Sequence, residues 1–141
     1  MKQSACILGL TACLILLGCS DRGQVTASVE NFSWSLTQIE IEGSETIVIP
    51  ESQSYTMEFR NSVDVSGSNH CNRYGAKYTL APDGSIRFQE ISETEIYCSP
   101  PSSSAEFRSG LVEAKSLQVI GDQLRLYYAE GRRVLLFVRR P

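Results

Sequence analysis

Apolar and polar side chains alternate with a period of two along most of the chain after residue 54. Tyr55, Met57 and Phe59, for example, are separated by Thr56 and Glu58. Successive side chains of a β-strand point to opposite faces of the sheet, so this alternation predicts strands with one buried and one solvated face. Because only one stretch of the chain has helical spacing instead, the pattern limits the fold to mainly β classes.

Three tight turns divide the alternating segments into hairpins. Pro82-Asp83-Gly84 lies between one pair of predicted strands, and Gly121-Asp122 lies between another. Glu130-Gly131 then leads into residues 134–138, which are apolar on both faces. Gly and Asp are typical of the turns that join antiparallel strands, and a strand that is apolar on both faces is typical of the centre of a sheet.

The first predicted strand contains an irregularity. Trp34 and Leu36 are apolar in one phase of the alternation, whereas Ile39 and Ile41 are apolar in the other. An extra residue in one strand of a pair shifts the phase in this way, so we predict a β-bulge near Thr37.

One segment breaks the period of two and predicts a helix from Ser103 to Lys115. Its first residues, Ser103-x-x-Glu106, have the spacing of a capping box. Phe107, Leu111 and Ala114 follow at intervals of four and three, which places their side chains on one face of a helix.

About eight short antiparallel strands and one helix must share a single core. We therefore predict a mainly β fold of the α+β class: a small antiparallel barrel, closed or cracked, with the helix plugging one end or covering a gap. Large apolar side chains either fill such a barrel or leave room for one small ligand that enters near the helix. Those expected inside are Trp34, Tyr55, Phe59, Phe88 and Phe107.

The N-terminus has the features of a signal peptide. Lys2 is followed by the uncharged apolar segment from Ala5 to Leu17 and by the small residue Gly18. Leu16-Leu17-Gly18-Cys19 resembles a bacterial lipobox, in which a diacylglyceryl group is attached to the cysteine sulfur before cleavage. The alternative is an ordinary secretory signal that contains a cysteine. The apolar segment is shorter than the roughly 20 residues that a membrane-spanning helix needs.

These features predict three parts of the chain: a lipoprotein signal peptide at 1–18, a lipidated tether at 19–31 and a folded domain at 32–141. Residues 20–30 are polar and weakly patterned, which is typical of a short flexible linker. The residue after Cys19 is a serine rather than an aspartate, which favours the outer membrane under the usual sorting rule. We therefore expect a bacterial outer-membrane lipoprotein that faces the periplasm, with the membrane as its first partner.

The cysteine count agrees with export. Cys6 and Cys13 lie in the predicted signal peptide, and Cys19 carries the predicted lipid. Cys71 and Cys98 remain, an even number in a compartment that permits disulfides. A disulfide between them would remove about 3.5 kcal/mol of unfolded-state entropy in the chain-entropy model. The alternative is two free buried thiols.

Composition and motifs argue against several function classes. The net charge is −3 and the basic residues form no stripe, so no nucleic-acid partner is predicted. His70 is the only histidine, and no CxxC pair or close carboxylate cluster completes a metal site with it, so no metal or cofactor is predicted. The GxSxG elbow of serine hydrolases is absent, and we interpret Glu90, Glu93 and Glu95 as a solvated face. We therefore do not expect an enzyme.

The densest cluster of special residues runs from Gly67 to Tyr78. Gly67 and Gly75 are expected to adopt positive φ at the ends of an irregular connection between two strands. Asn69 and Asn72 are expected to hydrogen-bond the backbone of that connection.

This cluster and its flanking residues resemble the META domain family, which includes the HslJ-type heat-shock proteins of bacteria. The family pattern runs from a Trp and Leu start through Gly-x-x-x-Cys-Asn-x-x-Gly and a following Tyr to Thr-x-x-x-Cys before a helix. The resemblance spans about residues 32–138, and it departs from the pattern at Glu95 and Ile96-Tyr97, where members more often have small and apolar residues. The matching residues are Trp34, Leu36, Gly67, Cys71, Asn72, Gly75, Tyr78, Thr94, Cys98, Phe107, Leu111, Leu124 and Leu126.

The resemblance implies a small envelope protein, often a lipoprotein, that is related to stress tolerance and has no established catalytic residues. The predicted function is therefore non-enzymatic: a lipid-anchored protein that binds an envelope protein or a lipid-like ligand. Its candidate recognition loop consists of Asn69, His70, Asn72 and Arg73. The alternative is an inhibitor of a secreted enzyme, of the lysozyme-inhibitor type, because Ser66-Gly67-Ser68 is similar to part of the loop motif of those proteins.

Overall fold

The computed structural model describes residues 29–97, 99 and 103–141. The elements of this part of the chain are strands, a nine-residue helix and a short 3₁₀ turn at Ala129–Gly131. In chain order they are β1 (Ser33–Ile41), β2 (Ile47–Val48), β3 (Thr56–Phe59), β4 (Asp64–Asn69), β5 (Asn72–Leu80), β6 (Ile86–Glu93), α1 (Ser104–Val112), β7 (Ala114–Ile120), β8 (Gln123–Tyr128) and β9 (Arg133–Arg140).

The strands form one antiparallel sheet that curls into a half-barrel. Their order across the sheet is β6-β5-β4-β3-β1-β9-β8-β7, and β2 pairs with β1 beside this path. The two outer strands meet at one place, where Ser85 and Ser116 form an isolated bridge and the Leu117 amide donates to the carbonyl of Gly84 at 2.8 Å. The predicted mainly β fold, with a cracked barrel and one helix, is confirmed.

The hairpins predicted from turn residues are present as β5–β6, β7–β8 and β8–β9. Strand β9 lies between β1 and β8, and Val134, Leu135, Leu136 and Phe137 are buried on both of its faces. The register of β1 against β9 shifts between Leu36 and Gln38, so the bulge predicted near Thr37 is confirmed.

Side chains fill the interior of the barrel. All five aromatic residues predicted to lie inside are buried, and Trp34, Tyr55 and Phe107 have no exposed surface. The Phe107 ring lies 5.4 Å from that of Tyr55, 5.5 Å from that of Tyr74 and 6.2 Å from that of Phe137, measured between centroids. The predicted aromatic core therefore occupies the space below the helix.

The helix is shorter than predicted, and its first turn is held differently. It ends at Val112, and Ala114 is already the first residue of β7. Ser103 occupies the N-cap position, but its side chain makes no capping hydrogen bond in the described part of the chain. The predicted capping box is therefore wrong, because Glu106 turns away from the helix terminus to the guanidinium of Arg133.

The connection between β4 and β5 is also simpler than predicted. The strands run to Asn69 and Asn72, and His70 and Cys71 form a two-residue turn in which His70 has a φ of 58°. Gly67 and Gly75 lie within the strands and do not adopt positive φ, so that prediction is wrong. The physical reason is that a two-residue hairpin turn needs its left-handed residue at the corner of the turn, not in the strands.

The two ends of the barrel differ in what they carry. Strand β3 begins beside the helix, where Tyr55 contacts Phe107, and it ends at Phe59, which forms a parallel bridge with Glu30. Val29 is fully buried, and its carbonyl accepts a hydrogen bond from Trp34 Nε1 at 3.0 Å. Val29 and Glu30 thus belong to the fold, ahead of the expected boundary at residue 32. We call the end that carries α1 the helix end, and the end where Glu30 joins the barrel the tether end.

Candidate functional site at the helix end

Helix α1 is attached to the barrel by three consecutive residues. Phe107 points into the aromatic core, and Glu106 and Arg108 on either side of it reach different strands. Arg133 Nη1, at the start of β9, donates to both carboxylate oxygens of Glu106 at 2.6 and 2.7 Å. The hydroxyl of Tyr128 donates to Oε2 of the same carboxylate at 2.9 Å.

On the opposite side of the helix, Arg108 Nη1 donates to Oε2 of Glu93 at 2.7 Å. Asn69 Nδ2 donates to the other oxygen, Oε1, at 2.6 Å, and only 13% of the Glu93 side chain is exposed. Glu93 therefore holds the helix to the end of β6. The solvated face predicted for Glu90, Glu93 and Glu95 is therefore wrong for Glu93, whereas Glu90 and Glu95 are exposed as expected.

Three tyrosine hydroxyls at the ends of the core have raised pKa values. Burial is the main cause for Tyr74 and Tyr128, and the Glu106 carboxylate adds to the effect at Tyr128. Burial, together with the Glu30 carboxylate, raises the pKa of Tyr78 to about 12. The hydrogen bond to Glu106 raises the pKa of Arg133. These groups therefore keep fixed protonation states near neutral pH and serve as stable hydrogen-bond partners.

Two members of the candidate recognition loop form hydrogen bonds that hold neighbouring segments of the fold together. Asn69 is 4% exposed and bonds Glu93, as described above. Asn72 Oδ1 accepts hydrogen bonds from the Ile96 amide at 2.7 Å and from Thr94 Oγ1 at 2.9 Å, and its Nδ2 donates to the Ile96 carbonyl at 3.0 Å. Asn72 thereby fixes the segment after β6 against the β4–β5 turn.

The other two members lie nearer the surface. The half-buried His70 ring packs 6.0 Å from the Tyr55 ring, and Arg73 is exposed. A recognition role for this loop stays a prediction. Ser66-Gly67-Ser68, which suggested an inhibitor loop, lies within β4, where Ser68 Oγ is 2.9 Å from Thr56 Oγ1.

Of the cysteines singled out in the sequence, the structure describes Cys71. It is exposed at the β4–β5 turn, and its sulfur lies 3.6 Å from the carbonyl oxygen of Ile96. Cys98 and Cys19 lie outside the described residues, so the predicted disulfide and lipidation stay predictions.

Two large apolar side chains project beside this turn. Ile96 is 59% exposed and Tyr97 is 87% exposed, and we call them the Ile96–Tyr97 pair. They border an open hollow of about 360 Å³ whose other side includes Ser104, Ala105 and Arg108 of the helix. One signal in the sequence points to this surface: the pair departs from the pattern of the resembling family at a position where small and apolar residues are more usual.

A second concavity, of about 740 Å³, lies at the seam between β6 and β7. Val112 and Ala114, at the end of the predicted helix, line it together with the buried Phe88. Charged side chains also line it, including Lys115, which pairs with Glu130 at 3.2 Å. The seam is thus a mixed polar and apolar crevice on the surface of a filled barrel.

The described residues hold no group of three or more His, Cys, Asp or Glu side chains placed to bind a metal ion. Within the same part of the chain, no helix combines the length and apolar character needed to cross a membrane.

Solved structures with the same fold share little sequence with this chain. An NMR structure of a protein from Burkholderia xenovorans has a TM-score of 0.67 at 22% identity, covering 82% of this chain and 86% of that one. A crystal structure of a DUF4847 family protein from Bacteroides vulgatus has a TM-score of 0.58 at 14% identity, covering 81% and 96%. At these identities the similarity shows the fold alone. No curated protein matches the sequence.

The sequence itself matches the family model of the META domain over residues 27–141. The match includes the motif from Gly67 to Tyr78, the helix and the closing strands, and it begins two residues before the buried Val29. The chain therefore belongs to the META domain family.

Proposed function

We propose that this protein is a non-enzymatic, lipid-anchored component of the bacterial envelope that acts, in stress-related functions, by binding a protein partner on its outer surface. The observation that carries the proposal is the filled interior: Trp34, Tyr55 and Phe107 are fully buried and occupy the space that a ligand would need. A partner would then bind to the outside of the barrel, where the Ile96–Tyr97 pair is exposed at the helix end.

The anchor part of the proposal rests on the sequence Leu16-Leu17-Gly18-Cys19. Residues 20–28 would connect the lipid on Cys19 to Val29, the first described residue of the fold. A flexible chain of this length has a root-mean-square span of about 15–20 Å, which would keep the domain close to the membrane surface. Serine after the cysteine favours the outer membrane.

Metabolic labelling with palmitate tests the anchor. We expect label in the wild-type protein in outer-membrane fractions, and we expect Cys19→Ala to lose the label and accumulate as unprocessed precursor. Cys13→Ala, which changes a cysteine inside the predicted signal peptide, is the matched control and should still be labelled. Label retained by Cys19→Ala would refute the anchor.

A disulfide between Cys71 and Cys98 is part of the same proposal. The closeness of the Cys71 sulfur to the backbone of Ile96, at 3.6 Å, supports it because Cys98 follows two residues later. We expect no free thiol in the oxidised mature domain. A titration that finds one thiol for each of the two cysteines would refute the bridge.

Cross-linking in intact cells tests partner binding. A membrane-permeable, cleavable cross-linker should recover a defined complex with another envelope protein, in stoichiometric amounts and in repeated preparations. A protein that is recovered only as a monomer, at every linker length, would contradict the proposal.

A further inference from the structure

We infer that the Ile96–Tyr97 pair is the docking point for a protein partner that offers an apolar cleft bordered by a basic side chain. The inference rests on the proposed partner-binding function and names the surface and the partner chemistry for it. Four observations support it: hydrogen bonds hold the backbone of Ile96, both side chains are exposed, Glu95 beside them forms no ion pair with any described residue, and the pair lies at the helix end of the barrel.

The backbone that carries the pair is fixed before any partner arrives. Asn72 uses both ends of its amide to hold Ile96 and Thr94, as described above. The Thr94 amide donates to the carbonyl of Arg73 at 3.0 Å, and the Arg73 amide donates to Thr94 Oγ1 at 3.1 Å. A segment that is already ordered loses little conformational entropy on binding, so its contacts contribute more of their energy to affinity.

The exposed side chains have the character of an interface anchor. Tyrosine is among the residues enriched at the energetic centres of interfaces, because it buries a large rigid surface and loses few rotamers. Single exposed apolar residues are common on protein surfaces and need no explanation. Here, however, Ile96 and Tyr97 are consecutive and both more than half exposed, and Asn72 holds the backbone of Ile96 through its amide and its carbonyl.

The acidic residue directly before the pair indicates one feature of the partner. Glu95 is exposed and forms no ion pair with any described residue, whereas nearby Glu93 is neutralised by Arg108. A basic side chain at the border of the partner's cleft would complement Glu95 and direct the encounter.

The position of the pair argues against the membrane as the occupant. The chain enters the barrel at Glu30, which bridges Phe59 at the tether end, while Asn72 places the pair at the helix end. A lipid on Cys19 with a short tether would turn the tether end toward the bilayer. The pair would then project into the periplasm, where a protein can reach it.

Site-specific photo-cross-linking of the full chain in its native envelope tests the inference. A photo-reactive residue replaces Tyr97 in one strain, Val112 in a second and Ile120 in a third. Val112 and Ile120 are the controls: Val112 is 61% exposed at the helix end, and Ile120 is 62% exposed at the tether end. We expect one adduct of defined mass at position 97, and none at 120. Any of four results would overturn the inference: adducts to lipid, adducts only to a second copy of this chain, equal adducts at all three positions, or no adduct at position 97.

Variants of the same chain add a quantitative readout. We expect Ile96→Ser with Tyr97→Ser to weaken the complex at least about tenfold, as for interface anchors, and Glu95→Lys to weaken it by about threefold or more. Val112→Ser should change it less than about twofold. All these side chains are exposed, so circular dichroism and the melting temperature should stay at wild-type values. Unchanged affinity in the Ile96→Ser, Tyr97→Ser variant would overturn the inference.

Failure of the inference and failure of the proposed function give different results. If the cleavable cross-linker still recovers a partner and the substitutions leave it unaffected, the docking point lies elsewhere and partner binding stands. If neither method recovers a partner, the inference and the proposed function are both wrong.

Discussion

The backbone of Gly67 lies directly against the backbone of Thr56: a Cβ atom at position 67 would be 2.0 Å from the Thr56 carbonyl oxygen and 2.7 Å from its carbon. The same oxygen accepts a hydrogen bond from the Tyr74 hydroxyl at 3.0 Å. This family-motif glycine is therefore required by close approach between β3 and β4, rather than by a positive φ.

We predict that Gly67→Ala destabilises the domain by about 3 kcal/mol, at the upper end of the usual cost of overpacking, because backbone atoms cannot move aside as a side chain can. Gly75→Ala is the matched control, since its Cβ would meet nothing closer than Ser92 Oγ at 3.8 Å. Its stability should be unchanged or higher than that of wild type by up to about 1 kcal/mol. Urea unfolding measures both, and equal effects of the two substitutions would contradict this explanation.

Gly110 allows the helix to approach β9. A Cβ there would lie 2.4 Å from Cδ1 of Leu135, which is fully buried. Alanine is about 1 kcal/mol more favourable than glycine inside a helix. We nevertheless predict that Gly110→Ala destabilises the domain by about 1–2 kcal/mol, because the added methyl group overpacks the contact with Leu135.

A double-mutant cycle with Leu135→Ala isolates the contact. The extra methyl group would enter the space that Leu135 vacates, so the two substitutions together should cost at least about 1 kcal/mol less than the sum of their separate costs. Additive costs would show that the cost of a side chain at position 110 does not arise from contact with Leu135.

Glu106 holds the helix by accepting hydrogen bonds from Arg133 and Tyr128. We predict that Glu106→Ala destabilises the domain by about 2 kcal/mol, mainly because the buried Tyr128 hydroxyl loses its acceptor. Lys115→Ala, which breaks the exposed ion pair to Glu130, should have no measurable effect. Thermal unfolding of the two variants provides the comparison, and similar melting temperatures for both would argue against a role of Glu106 in attaching the helix.

The raised tyrosine pKa values predict loss of stability in alkali. Burial raises the pKa of Tyr74 and Tyr128, and it raises that of Tyr78 to about 12. Because these tyrosines lose their protons less readily in the folded state than in the unfolded state, alkali favours unfolding. Their contribution to stability is complete below the unfolded-state pKa of about 10, and it is lost as the pH rises through the folded-state pKa. The urea midpoint should therefore be steady up to about pH 9 and fall from about pH 10.

Absorbance at 295 nm during the same titration reports the tyrosine ionisation. Tyr78→Phe should make the alkaline decline shallower, because one of the three groups is removed. A urea midpoint that does not change between pH 9 and pH 12 would contradict the linkage.

Local sequence signals predicted the strands and hairpins well. The turn at Asp83-Gly84 and the alternation on either side of it depend on neighbouring residues, and the buried face of β9 is visible in four consecutive apolar residues. The phase shift near Thr37 located the bulge for the same reason. Each of these features is determined within a few residues of the chain.

Features that depend on distant contacts were not predicted. Glu106 has the spacing of a capping residue, but Arg133 offers it a charged partner 27 residues away. The role of Asn72 in holding Ile96 is likewise set by a contact across 24 residues. Sequence patterns alone show neither partner, and the exposed Ile96–Tyr97 pair appeared only as a departure from the family motif.

The central claim is that the barrel is filled and binds its partner on the outside. Trp34 is the only tryptophan in the chain and is fully buried in the core, so its fluorescence reports entry of a ligand directly. Residues 20–141 are titrated with fatty acids and with phospholipid vesicles. We predict no saturable change in Trp34 emission at any ligand concentration. A saturable change that is abolished by Ala114→Phe, which would block the seam without adding a second tryptophan, would contradict the account.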